Sequence, residues 1–203
     1  MNPKRVVLAS SNAGKLREFS ELLEATGLEL LRQSDFGIVP PEETGASFLE
    51  NALIKARNAA RLSGLPAIAD DSGIEVDALD GAPGVYSARF AGEGASDEAN
   101  LDKLLTLLRE IPAKKRSARY RCVVVFVESA EEFLPLIGEG TWEGHIIDER
   151  RGSGGFGYDP SFVPLGDKRT VAEMPAAEKH AQSHRGQALR DFLAQLAASR
   201  ARE

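Results

Sequence analysis

The order in which hydrophobic patterns follow one another constrains this chain more than any single motif. Residues 6–9 are a short apolar run, and a helical pattern follows from about 15 to 25, with Leu16, Phe19, Leu22 and Leu23 on one face and Gly27 just beyond. A second helix is marked at both ends. Ser47 and Glu50 form a capping-box pattern, Phe48, Ala52, Ile54, Ala56 and Ala59 recur at helical spacing, and Gly64 can close it. A short buried strand at 67–69 then runs into Asp70-Asp71. After a Gly-rich loop comes a third helix, capped by Ser96 and ending near Arg109. SARYRCVVVFVES reads as a long strand, FLPLIGEGTWEGHII as one or two more, and RRGSGGFGYDPSFVP as loop throughout. A last helix covers about 183–198, with a frayed tail at 199–203. βα units first, a strand meander next and a closing helix last predict an α/β fold with a mixed sheet, not a purely doubly wound one. No repeat or dividing linker breaks the 203 residues, so a single domain over 1–203 is expected.

The net charge of −6 argues against a general nucleic-acid binder, whose surface must neutralise many phosphates. It leaves room for a small phosphorylated ligand, which needs only a few local cations or a metal. The single Cys122 lies in an apolar run and reads as a buried thiol; with no intrachain disulfide possible, a reducing compartment fits. Lys4-Arg5 is followed by fewer apolar residues than the ~7–15 of a signal peptide. No run approaches the ~20 needed to span a membrane. The expectation is a cytoplasmic protein with neither nucleic acid nor membrane as partner.

The stretch VVLASSNAGKLREF passes from strand through Gly14-Lys15 into helix, as a P-loop does. Ala9 stands where that motif needs its first glycine and Leu16 where it needs Ser or Thr, so it is not one. Its physics survives: a helix start offers unpaired N–H groups and partial positive charge, Ser10, Ser11 and Asn12 are capping residues, and Lys15 adds a full charge. The bland alternative is an ordinary capped helix with an exposed lysine. Residues 152–157 match G-x-G-x-x-G, but Arg150-Arg151 precede them and Tyr158-Asp159-Pro160 follow with a turn, so neither flanking strand nor helix is present. Phe156 and Tyr158 are either stacking surfaces or anchors of the loop to the core.

Asp70-Asp71 at a strand end, followed by Ser72-Gly73, is more than a solvated face, because adjacent carboxylates repel unless a cation or proton intervenes. Mg²⁺ takes one or two carboxylates with phosphate oxygens and water. Glu42 and Glu43 supply further carboxylates just before the second helix. One aspartate reads as structural and one as functional. Lys179, His184 and Arg185 gather at the start of the last helix, where positive charge is unfavourable without an anion; a bound phosphate or carboxylate would supply it. His180 reads as surface and His145 as part of a strand without a catalytic role. Two phosphate-binding helix starts, an acidic metal site and a glycine–aromatic loop together describe a nucleotide with a polyphosphate tail.

These residues resemble the non-canonical purine nucleoside triphosphate pyrophosphatases, the inosine/xanthosine triphosphate pyrophosphatase or Ham1-like family. The matching segments are SSNAGK from Ser10 to Lys15, EETGASFLENALIKA, ADDSGIEVDALDGAPGVYSARFAG, GGFGYDPSFVP and EKHAQSHRGQAL, in the family's order and over nearly the whole chain. The resemblance implies an elongated mixed sheet with helices, in two lobes around a central nucleotide cleft, usually as a homodimer. It implies Mg²⁺-dependent hydrolysis of ITP, dITP and XTP to the monophosphate and pyrophosphate, which cleanses the nucleotide pool. Carried over by position, Ser10, Ser11, Asn12, Ala13, Gly14 and Lys15 would hold the phosphates. Glu43 and Asp71 would hold the metal, Asp71 would also be general base, and Ser72 would contact substrate. Phe156 would stack on the purine with Gly157, Tyr158 and Asp159 completing that wall, and Lys179, His184 and Arg185 would close over base and phosphates. Ser10 stands where Thr is common, which keeps the hydroxyl, and His180 where Asn is frequent. A nucleotide sensor with the same pocket is the non-catalytic alternative, and a pyrophosphatase of other modified or pyrimidine triphosphates is the nearest enzymatic one.

Overall fold

The structure, a computed structural model, describes residues 4–23 and 27–200. Six strands form one sheet: β1 (Lys4–Leu8), β2 (Leu28–Arg32), β3 (Ala67–Val76), β4 (Ser117–Val127), β5 (Leu136–Ile146) and β6 (Phe162–Pro164), in the order β2-β1-β3-β4-β5-β6. β1 pairs in parallel with β2 and β3, while β5 and β6 pair antiparallel, so the sheet is mixed as expected. The helices are α1 (Ala13–Leu23), α2 (Phe48–Ser63), α3 (Asp97–Leu108), α4 (Ala176–Gln182) and α5 (His184–Arg200). No described helix is long and apolar enough to cross a membrane.

The chain divides into two compact units. The first comprises 1–71, 122–140 and 185–203; the second comprises 72–121 and 141–184. In the first, Val6, Leu8, Ile68, Cys122, Val124 and Phe126 pack against Phe19 and Leu23 of α1 and against Ala188, Leu189, Phe192 and Leu196 of α5. Successive strand residues point to opposite faces, and the even-numbered positions of β1, β3 and β4 supply this core. In the second, Ile74, Val76, Tyr120, Trp142 and Ile146 of the strands pack against Leu101, Leu104 and Leu108 of α3, with Phe162 and Tyr158 closing the cluster.

Local signals place several boundaries. Ser47 accepts from Glu50 N and Gly64 ends α2 in the left-handed region, so both caps stand where the sequence puts them. Ser96 caps α3 in the same way. Several readings need correction. β3 does not stop at Ala69 but runs ten residues, carrying Asp70 and Asp71 in its middle, because each charge is met by cations from other elements. The segment 150–164 is not loop throughout: it closes with a 3-10 turn, Asp159–Ser161, and β6. A short helix, α4, precedes the last one; Ser183 breaks the two apart with extended backbone. α5 includes Ser199 and Arg200, which were expected to fray, and 201–203 lie outside the described residues. The expected end of the first helix at Ala25 also lies outside them.

Candidate active site

Asn12 starts the first helix: its side-chain oxygen accepts from Lys15 N at 3.0 Å, and Ser10 Oγ accepts from Asn12 N at 3.3 Å. Ser11 and Asn12 are exposed, and Gly14 and Lys15 half-buried, after β1 has ended in buried Leu8 and Ala9. Ala13 opens α1. The Lys15 ammonium reaches back to β3, where Nζ lies 3.0 Å from Asp70 Oδ2.

Asp70 is 1 % exposed and Arg185 2 %. Arg185 donates from Nε at 3.4 Å and Nη2 at 3.3 Å to Asp70 Oδ2, and its Nη1 pairs with Glu18 of α1. Cys122 Sγ, 3.8 Å away, donates to the same oxygen. Burial alone would raise the Asp70 pKa, but Lys15 and Arg185 outweigh it and hold the carboxyl well below the usual range. Burial and the Asp70 charge push the Cys122 thiol up, so it stays protonated. Arg185 therefore does not await an external anion: Glu18 and Asp70 supply the charge that the sequence left unanswered.

Asp71 points to the opposite face of β3. Its Oδ1 lies 3.0 Å from Lys55 Nζ on α2, and its Oδ2 accepts from Asn51 Nδ2 at 3.2 Å. Lys55 Nζ also lies 2.7 Å from Glu43 Oε1. Two carboxylates from different elements thus converge on one ammonium. Burial, and secondarily Glu43, raises the Asp71 pKa against the pull of Lys55 and Lys15. Asn51 is fully buried, and its Oδ1 accepts from Gly45 N at 2.8 Å. A Cβ on Gly45 would come within 2.7 Å of that oxygen, so only glycine lets the Glu43 segment approach this closely. Glu42, by contrast, is exposed. Asn51 and Lys55 were passed over in the sequence. The signal was present, since both stand four apart on one face of α2.

Two carboxylates are the donor type that Mg²⁺ takes along with phosphate oxygens and water, although no group of three or more His, Cys, Asp or Glu that could hold a metal occurs among the described residues. Glu43 and Asp71 offer hard carboxylate oxygens already drawn to one point, the Lys55 ammonium. Asp70 Oδ1, buried beside them in sequence, accepts no hydrogen bond from any described residue. Ser72, half-buried, follows Asp71 in β3.

The second unit holds the glycine–aromatic loop. Asp159 is buried at its centre: Oδ1 accepts from Tyr120 Oη at 3.0 Å, and Oδ2 from Lys179 Nζ at 2.9 Å and Phe156 N at 3.0 Å. A Cβ on Gly155 would lie 2.0 Å from that Oδ2, which explains the glycine. Lys179 Nζ stands 4.8 Å from the centroid of the Phe156 ring, and that ring is part-exposed. Gly157 N donates to Asp97 Oδ2 at 2.8 Å. Tyr158 is a loop anchor, buried in the core with its hydroxyl on Ser87 O at 2.8 Å. His184 is buried and stacks on Tyr120, centroids 4.7 Å apart and planes 9° from parallel. His180 on α4 and His145 on β5 are half-buried. Tyr120, Asp97 and Glu18 carry no motif of their own.

A model described as the Ham1 family matches residues 6–195. A dITP/XTP pyrophosphatase of Methylococcus capsulatus is 58% identical over 195 residues, 96% of this chain and 97% of that one. One of Thioalkalivibrio sulfidiphilus is 57% identical over 192 residues, 95% and 98% of the two chains. The structure of a HAM1 protein from Coxiella burnetii superposes with a TM-score of 0.90 at 46% identity, covering 96% of this chain and 99% of its own.

Proposed function

The chain belongs to the Ham1 family, and on that premise we propose that it hydrolyses non-canonical purine nucleoside triphosphates, ITP, dITP and XTP, to the monophosphate and pyrophosphate. The observation that carries the reading is the split of the aspartate pair: Asp70 pairs through one oxygen with Lys15 and Arg185, whereas Asp71 lies with Glu43 on Lys55. Environments that push two neighbouring carboxyls apart assign them different chemistry.

The Ser10–Lys15 turn would hold the triphosphate through helix-start N–H groups, hydroxyls and the Lys15 charge. Asp70 and Arg185 act from beneath: they fix where the Lys15 ammonium stands. Glu43 and Asp71 would hold Mg²⁺, which supplies charge neutralisation and Lewis acidity at the phosphates. Asp71, the more basic of the pair, takes a proton from the attacking water as its oxygen bonds to the α-phosphorus. The bond from that phosphorus to the bridging oxygen breaks, and the oxygen departs with pyrophosphate. Ser72 contacts substrate beside the base. In the second unit Phe156 stacks on the purine. Gly157, Tyr158 and Asp159 shape that wall, and Lys179 and His184 bring donors toward the 6-oxo group shared by hypoxanthine and xanthine. An adenine 6-amino group would leave such a donor unpaired, a loss of ~1–3 kcal/mol. Acting on the cytoplasmic nucleotide pool and assembling as a homodimer belong to the same proposal.

Product analysis tests it. Pyrophosphate released from ITP, XTP and dITP, with little from GTP or ATP, abolished by chelation and by Asp71→Asn, is the expected result. Orthophosphate as the product, or full turnover by Asp71→Asn, would overturn it. Tight binding without any product would favour the sensor.

A further inference from the structure

The residue proposed to stack on the base, Phe156, stands at the crest of a glycine loop. Such a loop has little intrinsic stiffness: Gly152, Gly155 and Gly157 all adopt left-handed backbone, with φ of 80°, 73° and 62°. Its base is fastened. Gly154 N donates to Ala172 O at 2.9 Å, Arg151 N to Pro160 O at 2.9 Å, and Thr170 Oγ1 to Arg151 O at 2.7 Å. At the crest two consecutive backbone N–H groups each meet a carboxylate. Phe156 N meets Asp159, a member of the same segment; Gly157 N meets Asp97, the first residue of α3, sixty positions away in sequence.

The two clamps differ in what they reference. Asp159 is tied to Tyr120 and Lys179 and holds the loop from within. Asp97 is fixed by its helix. Ser96 caps α3, and Leu101, Leu104 and Leu108 of the same helix are buried in the core of the second unit. Its charged bond to Gly157 N therefore sets the peptide that follows Phe156 against a rigid element, and a stacking surface must be held this way to bind a flat ligand without ordering itself first.

We propose that Asp97 is a positioning residue that presents Phe156 to the purine. It rests on the reading of Phe156 above, and it touches neither phosphate nor metal ligands. Asp97→Ala removes the acceptor. Asp97→Asn keeps an oxygen acceptor without the charge. Glu98→Gln removes the neighbouring exposed carboxylate of the same helix turn, which bonds Ser96 and not Gly157. Steady-state kinetics with ITP are combined with calorimetric binding of IMP, which carries the base, and of tripolyphosphate, which does not.

Asp97→Ala is expected to raise KM for ITP and the Kd for IMP about fivefold, the scale of one ordinary hydrogen bond, since Asp97 is exposed. kcat should hold within about twofold, and tripolyphosphate binding should match the wild type. Asp97→Asn should recover part of the loss, and Glu98→Gln should behave as wild type. Unchanged IMP binding by Asp97→Ala would overturn the proposal. So would an equal weakening of IMP and tripolyphosphate, or the same loss in Glu98→Gln, since either marks a general defect of α3. If the wild-type protein binds tripolyphosphate but not IMP, the role of Phe156 fails first and this proposal with it.

Discussion

Replacing Glu18 by Gln tests the buried charge set most directly. Glu18 is 6 % exposed and pairs with Arg185, which also serves Asp70, and Asp70 is met in turn by Lys15. Gln keeps the shape and an oxygen acceptor but removes the carboxylate charge that faces Arg185. Breaking a buried pair from one side costs ~3–5 kcal/mol. Arg185 retains Asp70 at 3.3 Å, which places the expected loss near the lower end, ~3 kcal/mol. At ~2–4 °C per kcal/mol for a chain of this size, Tm should fall by about 6–12 °C. Thermal and urea unfolding of wild type and variant measure it, with Asp102→Asn as reference. Asp102 pairs with Arg150 at the surface, where a pair is worth ~0–1 kcal/mol. A cycle with Arg185→Met should return a coupling of ~2–3 kcal/mol. A Glu18→Gln loss no greater than that of Asp102→Asn would refute the reasoning, because the set would then be screened like a surface pair.

Lys55→Met removes the ammonium between Glu43 and Asp71, and kcat/KM for ITP should fall by on the order of 10²-fold while α2 keeps its circular dichroism. Gly155→Ala drives a Cβ into the Asp159 carboxylate at a left-handed position, so it should cost more than ~1 kcal/mol in urea unfolding. The Tyr120 and Tyr158 phenols are pushed well above the ordinary ~10 by burial first, then by Asp159 beside Tyr120 and Asp97 near Tyr158. Their folded pKa values exceed the unfolded ones, so their stabilisation is complete below pH ~10 and is lost as pH rises further. An absorbance titration at 295 nm should show two of the three tyrosines ionising only with unfolding.

Where the determining chemistry is local, the sequence was enough. The Ser47–Glu50 box, Gly64 and Ser96 mark α2 and α3 because a cap needs only neighbours within four residues. The run from β1 into α1 was legible for the same reason. What was not legible depended on partners far along the chain. Asp70-Asp71, followed by Ser72-Gly73, reads as the end of a strand at Ala69. It continues because Lys15, Lys55 and Arg185 neutralise the two aspartates, the last from 115 positions away. Lys179, His184 and Arg185 read as one unanswered positive cluster. Their setting separates them: Lys179 belongs to α4 with Asp159, and Arg185 to α5 with Glu18 and Asp70. α4 itself, seven residues after Pro175, is too short for hydrophobic periodicity to declare.

The inequivalence of Asp70 and Asp71 follows from the pleat of a strand. Two identical residues in succession must face opposite sides of β3. One side is covered by α1 and α5, which carry Lys15 and Arg185; the other meets α2, which carries Asn51 and Lys55. A carboxylate with two cations and a thiol on one oxygen is held in its charged form and is a poor proton acceptor. The neighbour, buried and set beside the Glu43 carboxylate on Lys55, binds a proton more readily. Exchanging their roles would require moving a helix, not a side chain. A base and a fixed counter-ion can therefore stand side by side in sequence without competing for the same proton.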